Sequence, residues 1–243
     1  MYLFKLDATD STNSYLRELS KNKDLGKWTV VTSDYQTEGR GQKGAEWQSD
    51  KGKNLICSIL IKLDEFNAED QFMLNCAVSV GIHQYLQRYK LPKLKIKWPN
   101  DIMSVSKKLG GILIENTLIS NKISQSIIGI GININQEKFP DELPMAISIK
   151  QLTNHETPRD IFLQDLLNSI QNKFDLIFTN RFEELWIQYE SSLYRKDAAR
   201  MFQNDKGEKF MGIIRGVTKQ GKLKIEREDS SVDTFNFKEV IYL

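Results

Sequence analysis

Apolar positions follow two different periods along the chain. Residues 28–34 (WTVVTSD) and 54–63 (NLICSILIKL) are β-branched or apolar runs of strand length. Residues 93–99 (KLKIKWP), 108–116 (KLGGILIEN) and 124–135 (SQSIIGIGININ) have the same character, and glycines in the last two indicate bulges or a close backbone approach. The pattern therefore predicts at least five strands.

Other segments have helical spacing. A short amphipathic helix is expected from about Thr12, and residues 67–89 carry apolar side chains at positions 72, 73, 76, 77, 80 and 82, which predicts a core helix. A long apolar stripe follows Thr157, the expected N-cap, and Pro158, the expected first helical residue. A further helix is expected within residues 181–193.

The pattern changes after about residue 193. Short alternating segments separated by glycines predict a small antiparallel barrel of roughly fifty residues, a size that is marginal for independent folding. We therefore expect a domain over residues 1–193 and a small one over 194–243. The predicted fold class is α/β (α+β), with a mixed sheet flanked by helices.

Composition narrows the choice of partners and compartment. Lys and Arg total 34 and Asp and Glu total 32, so a net charge of +2 gives no long-range attraction to nucleic acid. The two cysteines, Cys57 and Cys76, lie in apolar segments without metal-ligand spacing, which indicates buried thiols in a reducing compartment. The first residues lack a leader pattern and no apolar run is long enough to span a bilayer, so we expect a cytoplasmic protein that binds no membrane.

Residues 34–47 (DYQTEGRGQKGAEW) combine three glycines with an arginine and a lysine. Glycine lets a ligand approach the backbone, and arginine and lysine supply charge-assisted donors to carboxylate or phosphate. The mixture indicates an anion site, although a solvated turn between two strands is the commoner explanation of such a stretch.

Residues 95–116 (KIKWPNDIMSVSKKLGGILIEN) form the second unusual stretch. Asn100 and Asp101 follow a strand end at a turn, and a hairpin would bring Lys107 or Lys108 beside them. Asp would orient the ammonium toward a developing negative charge on phosphate. The simpler alternative is an Asn-Asp turn with no chemical role.

Residues 129–135 (GIGININ) form the third stretch, in which two glycines leave a patch of backbone bare. A flat ring could pack there, with Asn133 or backbone groups contacting its edge, whereas the alternative is a tightly packed buried strand. The chain has no Walker A sequence, no Rossmann glycine pattern, no hydrolytic trio and no metal cluster. What remains suits nucleotidyl or acyl transfer between anionic partners.

Five motifs, DSTNSYL, QTEGRGQKGAEW, KWPNDI, KKLGGILIE and GIGININ, occur in this order, and together they resemble the biotin protein ligase family over essentially the whole chain. The resemblance implies a class II synthetase-like, biotin/lipoate ligase catalytic domain with an SH3-like C-terminal barrel. It also implies a two-step reaction in which biotin and ATP, with Mg²⁺, form biotinyl-5′-AMP, and a lysine of a biotin carboxyl carrier domain then takes the biotin. A lipoate or octanoyl ligase and a non-catalytic biotin-binding protein are the alternatives.

The resemblance also implies roles for individual residues. The catalytic set is Lys108, the principal cation, with Arg40 and Asp101. The biotin-binding set is Ser11, Thr12, Asn13, Gln36, Gly39, Arg40, Gly41, Gln42, Lys108, Gly110 and Gly111. The ATP-binding set is Arg40, Lys43, Trp47, Lys97, Asn100, Asp101 and Asn133, with Trp47 and Asn133 at the adenine and the magnesium ligands unassigned.

Further expectations come from comparison with the family pattern. Many members have a second arginine, in the sequence G-R-G-R, in the loop over residues 34–47, which we call the glycine loop. This chain has Gln42 in place of that arginine, and the neighbouring Lys43 does not reproduce the two-pronged hydrogen bonding of an arginine. The loop is expected to be open until biotin arrives and then to close over the adenylate. Because the DSTN motif begins at residue 10, we expect no helix-turn-helix domain and no specific DNA binding, and either a monomer or a homodimer.

Overall fold

The centre of the fold is a seven-stranded mixed sheet. The structure is a computed structural model that describes residues 2–243, apart from the side chains of Lys43 and Asp64. The strands are β1 (Tyr2–Leu6), β2 (Trp28–Ser33), β3 (Leu55–Asn67), β4 (Lys95–Lys97), β5 (Asp101–Ser104), β6 (Lys107–Ile119) and β7 (Lys122–Ile132). Their order is β1-β2-β3-β7-β6-β5-β4, with β1 parallel to β2 and the other pairs antiparallel.

Helices cover both faces of this sheet. They are α1 (Thr12–Asn22), α2 (Gln71–Leu86), α3 (Ile149–Thr153), α4 (Arg159–Phe178) and α5 (Phe182–Ser191). Nearly every residue of α2 is buried, as the apolar spacing predicted, and a Cβ added at Gly81 would lie 2.9 Å from Ile170 Cα of α4. On the opposite face, Leu16 of α1 packs on Val31 and Leu60 in a separate buried cluster. A sheet with both faces covered needs apolar residues throughout its central strands, which explains their near-continuous apolar runs.

The start of α4 differs from the prediction. Helix α4 begins at Arg159 with Pro158 as the N-cap, so Thr157 is not the cap and Pro158 is not the first helical residue. Thr157 is instead tied to Asn135, whose Nδ2 donates to its carbonyl and whose Oδ1 accepts from its N–H, both at 2.9 Å. This long-range pair fixes the backbone before the helix and was not visible in local sequence preferences.

A separate antiparallel sheet follows the last helix. Its strands are β8 (Ala199–Asn204), β9 (Lys209–Val217), β10 (Leu223–Arg227), β11 (Val232–Phe235) and β12 (Val240–Tyr242), in the order β11-β10-β9-β8-β12. It packs on the first sheet through Trp98, whose indole N–H donates to the Gly221 carbonyl at 2.8 Å and whose ring meets Phe237 edge to face. The predicted α/β fold class is confirmed, and this sheet is consistent with the expected SH3-like unit.

Across the described residues 2–243, none of the helices is both long enough and apolar enough to cross a membrane.

Candidate active site

A cavity of about 510 Å³ opens where the loop after β2, the start of α1, the β5–β6 hairpin and β12 come together. This volume lies in the range of pockets that hold small molecules and cofactors. Most of the residues predicted from the sequence line it: Ser11, Thr12, Asn13, Gln36, Arg40, Gly41, Gln42, Trp47, Lys97, Asn100, Asp101, Lys108 and Gly111. Residues that are distant in sequence therefore form one site.

One end of the cavity, which we call the hydroxyl end, is formed by hydroxyl and amide groups of Thr12, Asn13, Gln36 and Ser58. Gln36 Oε1 accepts from the Thr12 N–H at 2.7 Å and from the Thr12 hydroxyl at 2.9 Å. Ser58 of β3 lies beneath them, with its Oγ 2.7 Å from Thr12 Oγ1 and 2.5 Å from Asn13 Oδ1. Because Thr12, Asn13 and Ser58 are buried and Gln36 is half-buried, a ligand in contact with them must match their donors and acceptors.

The glycine loop has a defined fold. The backbone N–H of Trp47 donates to the Gly39 carbonyl at 2.8 Å, and Gln42–Gly44 form a single 3₁₀ turn. A Cβ added at Gly39 would lie 2.2 Å from the Trp47 carbonyl oxygen, which explains the glycine at this position. Lys43 was assigned to the ATP-binding set, but its side chain lies outside the part of the chain that the structure describes. Opening of the loop before biotin arrives stays a prediction.

The Trp47 indole packs against Gly131 of β7 and lies near Gly111 of β6. A Cβ added at Gly131 would lie 2.4 Å from Trp47 Cε2, and one added at Gly111 would lie 3.6 Å from Trp47 Cζ3. The flat ring expected on these glycines is thus an indole of the chain itself, and it borders Gly111, the glycine assigned to the biotin slot. Trp47 Nε1 is buried and has no hydrogen-bond partner among the described residues.

The hairpin β5–β6 brings Lys108 to Asp101. Lys108 Nζ lies 2.7 Å from Asp101 Oδ1, and Asp101 faces Gly111 in the strand register. The register shifts between Ile102 and Met103, which displaces Lys108 relative to a regular ladder. The Lys108 side chain is 41% exposed, so the ammonium is held by one carboxylate and still faces the cavity.

Lys97 and Asn100 border the same end of the cavity. Lys97 Nζ lies 4.9 Å from the centroid of the Tyr242 ring, so the second sheet contributes to the site. The Asn100 amide donates to the Ile112 carbonyl at 2.6 Å, and the Ile112 N–H donates back to the Asn100 carbonyl. Asn100 therefore fixes the turn before Asp101, in addition to any contact with a ligand.

Three predicted residues do not line this cavity. Gly39 supports the loop, and Gly110 packs against β7, where an added Cβ would lie 2.8 Å from the Gly131 carbonyl oxygen. The Asn133 amide is buried and donates to the Ile147 carbonyl at 3.1 Å, so it anchors the segment before α3. The predicted adenine contact of Asn133 is without support from this placement.

Sequence analysis missed other residues of the site. Glu115 of β6 contacts Arg40, Ser58 supports Thr12, and β12 with the preceding residues Phe237 and Lys238 forms part of the cavity wall. The strand-like pattern around Glu115 and Ser58 assigned neither residue to the site. The available signals were a polar residue on an otherwise apolar buried strand and, for Glu115, its place at the end of the KKLGGILIE motif.

Neither cysteine is suited to nucleophilic chemistry. Cys57 borders the cavity, and burial raises the pKa of its thiol to about 12. Burial likewise raises the pKa of Cys76, which supports the predicted structural role of both thiols. Among the described residues no three His, Cys, Asp or Glu side chains are grouped to hold a metal ion.

Comparison with known proteins identifies the family. Residues 6–133, which include the hydroxyl end, the glycine loop, the β5–β6 hairpin and all of β7, match the model of the biotin/lipoate A/B protein ligase family. The chain belongs to this family. Its matched part contains every residue that the sequence placed in the site.

Individual relatives of the family cover almost all of the chain. The bifunctional ligase/repressor BirA of Bacillus subtilis is 30% identical over 234 residues, which span 94% of this chain and 70% of the relative. The biotin–acetyl-CoA-carboxylase ligase of Mycobacterium tuberculosis is 23% identical, over 90% of this chain and 80% of the relative. The biotin protein ligase of Aquifex aeolicus, solved in complex with biotin and ATP, superposes with a TM-score of 0.82 at 26% identity and covers 100% and 99% of the two chains.

Proposed function

We propose that this family member is a biotin protein ligase: it activates biotin with ATP as biotinyl-5′-AMP and transfers the biotin to a lysine of a biotin carboxyl carrier protein. The observation that carries the proposal is the meeting of Arg40 and the Lys108–Asp101 pair with the hydroxyl end of one cavity. The relatives named as biotin ligases, and the Aquifex aeolicus ligase bound to biotin and ATP, support it.

The first step joins two anions. The biotin carboxylate oxygen attacks the α-phosphorus of ATP, the bond from that phosphorus to the pyrophosphate oxygen breaks, and pyrophosphate leaves. Two anions approach only if cations lie between them, and a cation in a cavity from which the ligand excludes water acts more strongly than one in bulk water. We assign Lys108 as the principal cation, Asp101 as the group that holds it in place, and Arg40 as the bridge between carboxylate and phosphate.

The residues at the phosphate end suit a magnesium ion. Mg²⁺ is usually held by one or two carboxylates together with substrate phosphates, and Asp101 supplies such a carboxylate at the cavity. An ion held there would neutralise phosphate charge. Asn100 orients the turn that carries Asp101.

The second step transfers the acyl group. The uncharged amine of the carrier lysine attacks the acyl carbon of the adenylate, the bond to the phosphate oxygen breaks, AMP leaves and the nitrogen loses a proton. The loop over residues 39–47 limits access of water to the mixed anhydride, and this protects the intermediate before the carrier arrives. Trp47, packed on Gly131, forms the wall on that side.

We assign the hydroxyl end to the biotin ring. Thr12 and Gln36 face a ureido group whose donors and carbonyl must be satisfied once they are buried. Ser11, Asn13, Gly41 and Gly111 complete this end of the cavity.

We divide the chain at about residue 193, into a catalytic unit over 1–193 and a small C-terminal unit over 194–243. The start of the second sheet at Ala199 supports this boundary. The net charge of +2 supports our expectation that the chain does not bind DNA specifically.

The test is biotinylation of a generic biotin carboxyl carrier domain. The purified chain is incubated with biotin, ATP and Mg²⁺, and the mass of the carrier is followed, with lipoate in a parallel reaction. A gain of one biotin that requires ATP and does not occur with lipoate is the expected result. A gain with lipoate alone would assign the chain to the lipoate branch of the family, and biotin binding without any gain would indicate a protein that has lost the chemistry.

A further inference from the structure

The carboxylate of Glu115 joins three elements of the site. It accepts from Asn13 Nδ2 at 2.7 Å, and its two oxygens lie 2.8 Å from Arg17 Nη2 and 3.3 Å from Arg40 Nη2. Asn13 and Arg17 belong to α1, Arg40 belongs to the glycine loop and Glu115 belongs to β6. The Glu115 side chain thus connects the hydroxyl end of the cavity to the glycine loop.

Glu115 determines which way the Asn13 amide faces. An ionised carboxylate can only accept hydrogen bonds, so the Nδ2 side of Asn13 faces Glu115 and the Oδ1 side faces the Ser58 hydroxyl. A Cβ added at Gly129 would lie 2.6 Å from Asn13 Oδ1, so the amide packs directly on β7 with little room to rotate. Loss of an acceptor oxygen at position 115 would remove the group that distinguishes the two amide orientations.

Glu115 carries one negative charge and contacts two positively charged side chains. Two guanidinium groups share one carboxylate, and the Arg17 contact is the shorter of the two. Arg40 is the residue that the proposed function gives to the carboxylate and phosphate of the ligand. Glu115 and that anion therefore attract the same guanidinium, while Arg17 continues to neutralise Glu115 when Arg40 turns away.

We propose that Glu115 is a positioning residue that orients Asn13 and competes with the bound adenylate for Arg40, and that Arg17 sets the strength of this competition. The inference rests on the proposed function. A short hydrogen bond to Glu115 orients the Asn13 amide, whereas the longer hydrogen bond from Arg40 depends mainly on the charge of the carboxylate. The two effects are therefore separable by substitution.

The competition predicts opposite changes in the rate of adenylate release for two substitutions. Glu115→Gln keeps an acceptor oxygen for Asn13 and removes the charge that attracts Arg40, so the adenylate is held longer. Arg17→Gln leaves Arg40 as the sole guanidinium facing Glu115 among the contacts described, so Glu115 competes more strongly and the adenylate is released faster. Partly exposed ion pairs of this kind correspond to effects of about two- to fivefold in each direction.

The experiment measures release of radiolabelled biotinyl-5′-AMP from the full chain after a chase with unlabelled adenylate. Slower release from Glu115→Gln, faster release from Arg17→Gln, and release from the double variant equal to that from Glu115→Gln are expected, because Arg17 acts only through the carboxylate. Lys21→Gln is the matched control, since Lys21 lies on the same helix and pairs with Glu18 away from the cavity. Thermal unfolding of each variant checks that the fold is intact.

Glu115→Ala tests the orientation of Asn13. It removes the acceptor as well as the charge, so biotin affinity by calorimetry is expected to fall about tenfold below that of Glu115→Gln. Unchanged release, or shifts of the same sign in Glu115→Gln and Arg17→Gln, would overturn the competition. Equal biotin affinity in Glu115→Gln and Glu115→Ala would overturn the positioning of Asn13. Failure of the wild-type chain to form any adenylate would instead contradict the proposed function.

Discussion

Lys108 Nζ lies 2.7 Å from Asp101 Oδ1 across the β5–β6 hairpin, at the wall of the cavity that also contains Arg40. Neither partner is deeply buried, with side chains 41% and 22% exposed, so the pair itself contributes little to the stability of the fold. Its value is positional: the carboxylate holds a cation where two substrate anions would meet.

Lys108→Ala is expected to reduce kcat for adenylate formation by about 10²- to 10³-fold, the usual cost of removing one preorganised group that stabilises developing charge. Pyrophosphate release in single-turnover reactions measures this step. The matched control is Lys107→Ala, because Lys107 is the exposed neighbour in the same strand and should retain activity within about twofold. Equal losses in the two variants would remove the assignment of Lys108.

The Lys108–Asp101 pair shows what the sequence is able to predict. The two residues belong to neighbouring strands of one short hairpin, so their meeting followed from local turn signals. Arg40 and Glu115 are 75 positions apart, and their contact depends on the strand order β3-β7-β6. Local periodicity carries no information on that order, and for this reason Glu115 was missed.

The same distinction explains the C-terminal strand. The alternating pattern after residue 193 predicted a small β unit, but the packing of Trp98 against Gly221 and Phe237 decides that β12 borders the cavity. The misplaced cap at Thr157 has a related cause, since a partner 22 residues away fixes its backbone. Sequence therefore predicted elements and motifs well, and contacts between distant elements poorly.

Gly131→Ala should displace the Trp47 indole, because the new Cβ would lie 2.4 Å from Trp47 Cε2 in the present arrangement. Misplacement of a cavity wall by about 1 Å is expected to weaken biotin binding tenfold or more. Calorimetry measures the affinity, and the difference in fluorescence between the parent and a Trp47→Phe variant reports the environment of this indole.

Gly26→Ala is the control for that substitution. Its added Cβ would approach only Tyr2, an exposed side chain that is able to move, so binding should be unchanged. If Gly131→Ala bound biotin as tightly as the parent, the position of the Trp47 indole beside Gly111 would not matter for biotin binding.

Gln42→Arg is expected to slow escape of the adenylate, because a guanidinium at the cavity wall adds charge-assisted hydrogen bonds to phosphate that an uncharged amide does not supply. Dissociation of labelled biotinyl-5′-AMP measures the effect. Gln48→Arg adds the same charge at an exposed position of the same segment and should leave the rate unchanged. Identical rates for Gln42→Arg and the parent would count against a role for this position in retention.

His83 gives the fold a dependence on pH that is independent of the site. The ring is buried with Nε2 3.2 Å from the Leu94 carbonyl oxygen, and burial lowers its pKa below the ordinary value despite that hydrogen bond. The unfolded chain, with a His pKa of about 6.5, therefore binds the proton first as the pH falls. The contribution of His83 to the free energy of unfolding is complete above about pH 6.5 and is lost as the pH falls toward the folded-state pKa.

Urea unfolding between pH 7.5 and 5 should show this loss in the parent and a smaller loss in His83→Gln, which keeps a donor for the Leu94 carbonyl and cannot become charged. Each tenfold difference in proton affinity between the folded and unfolded chain is worth about 1.4 kcal/mol. His155, the other histidine, is exposed, so His155→Gln should follow the parent. Equal pH dependence in all three proteins would mean that His83 titrates in the folded chain as it does in the unfolded one.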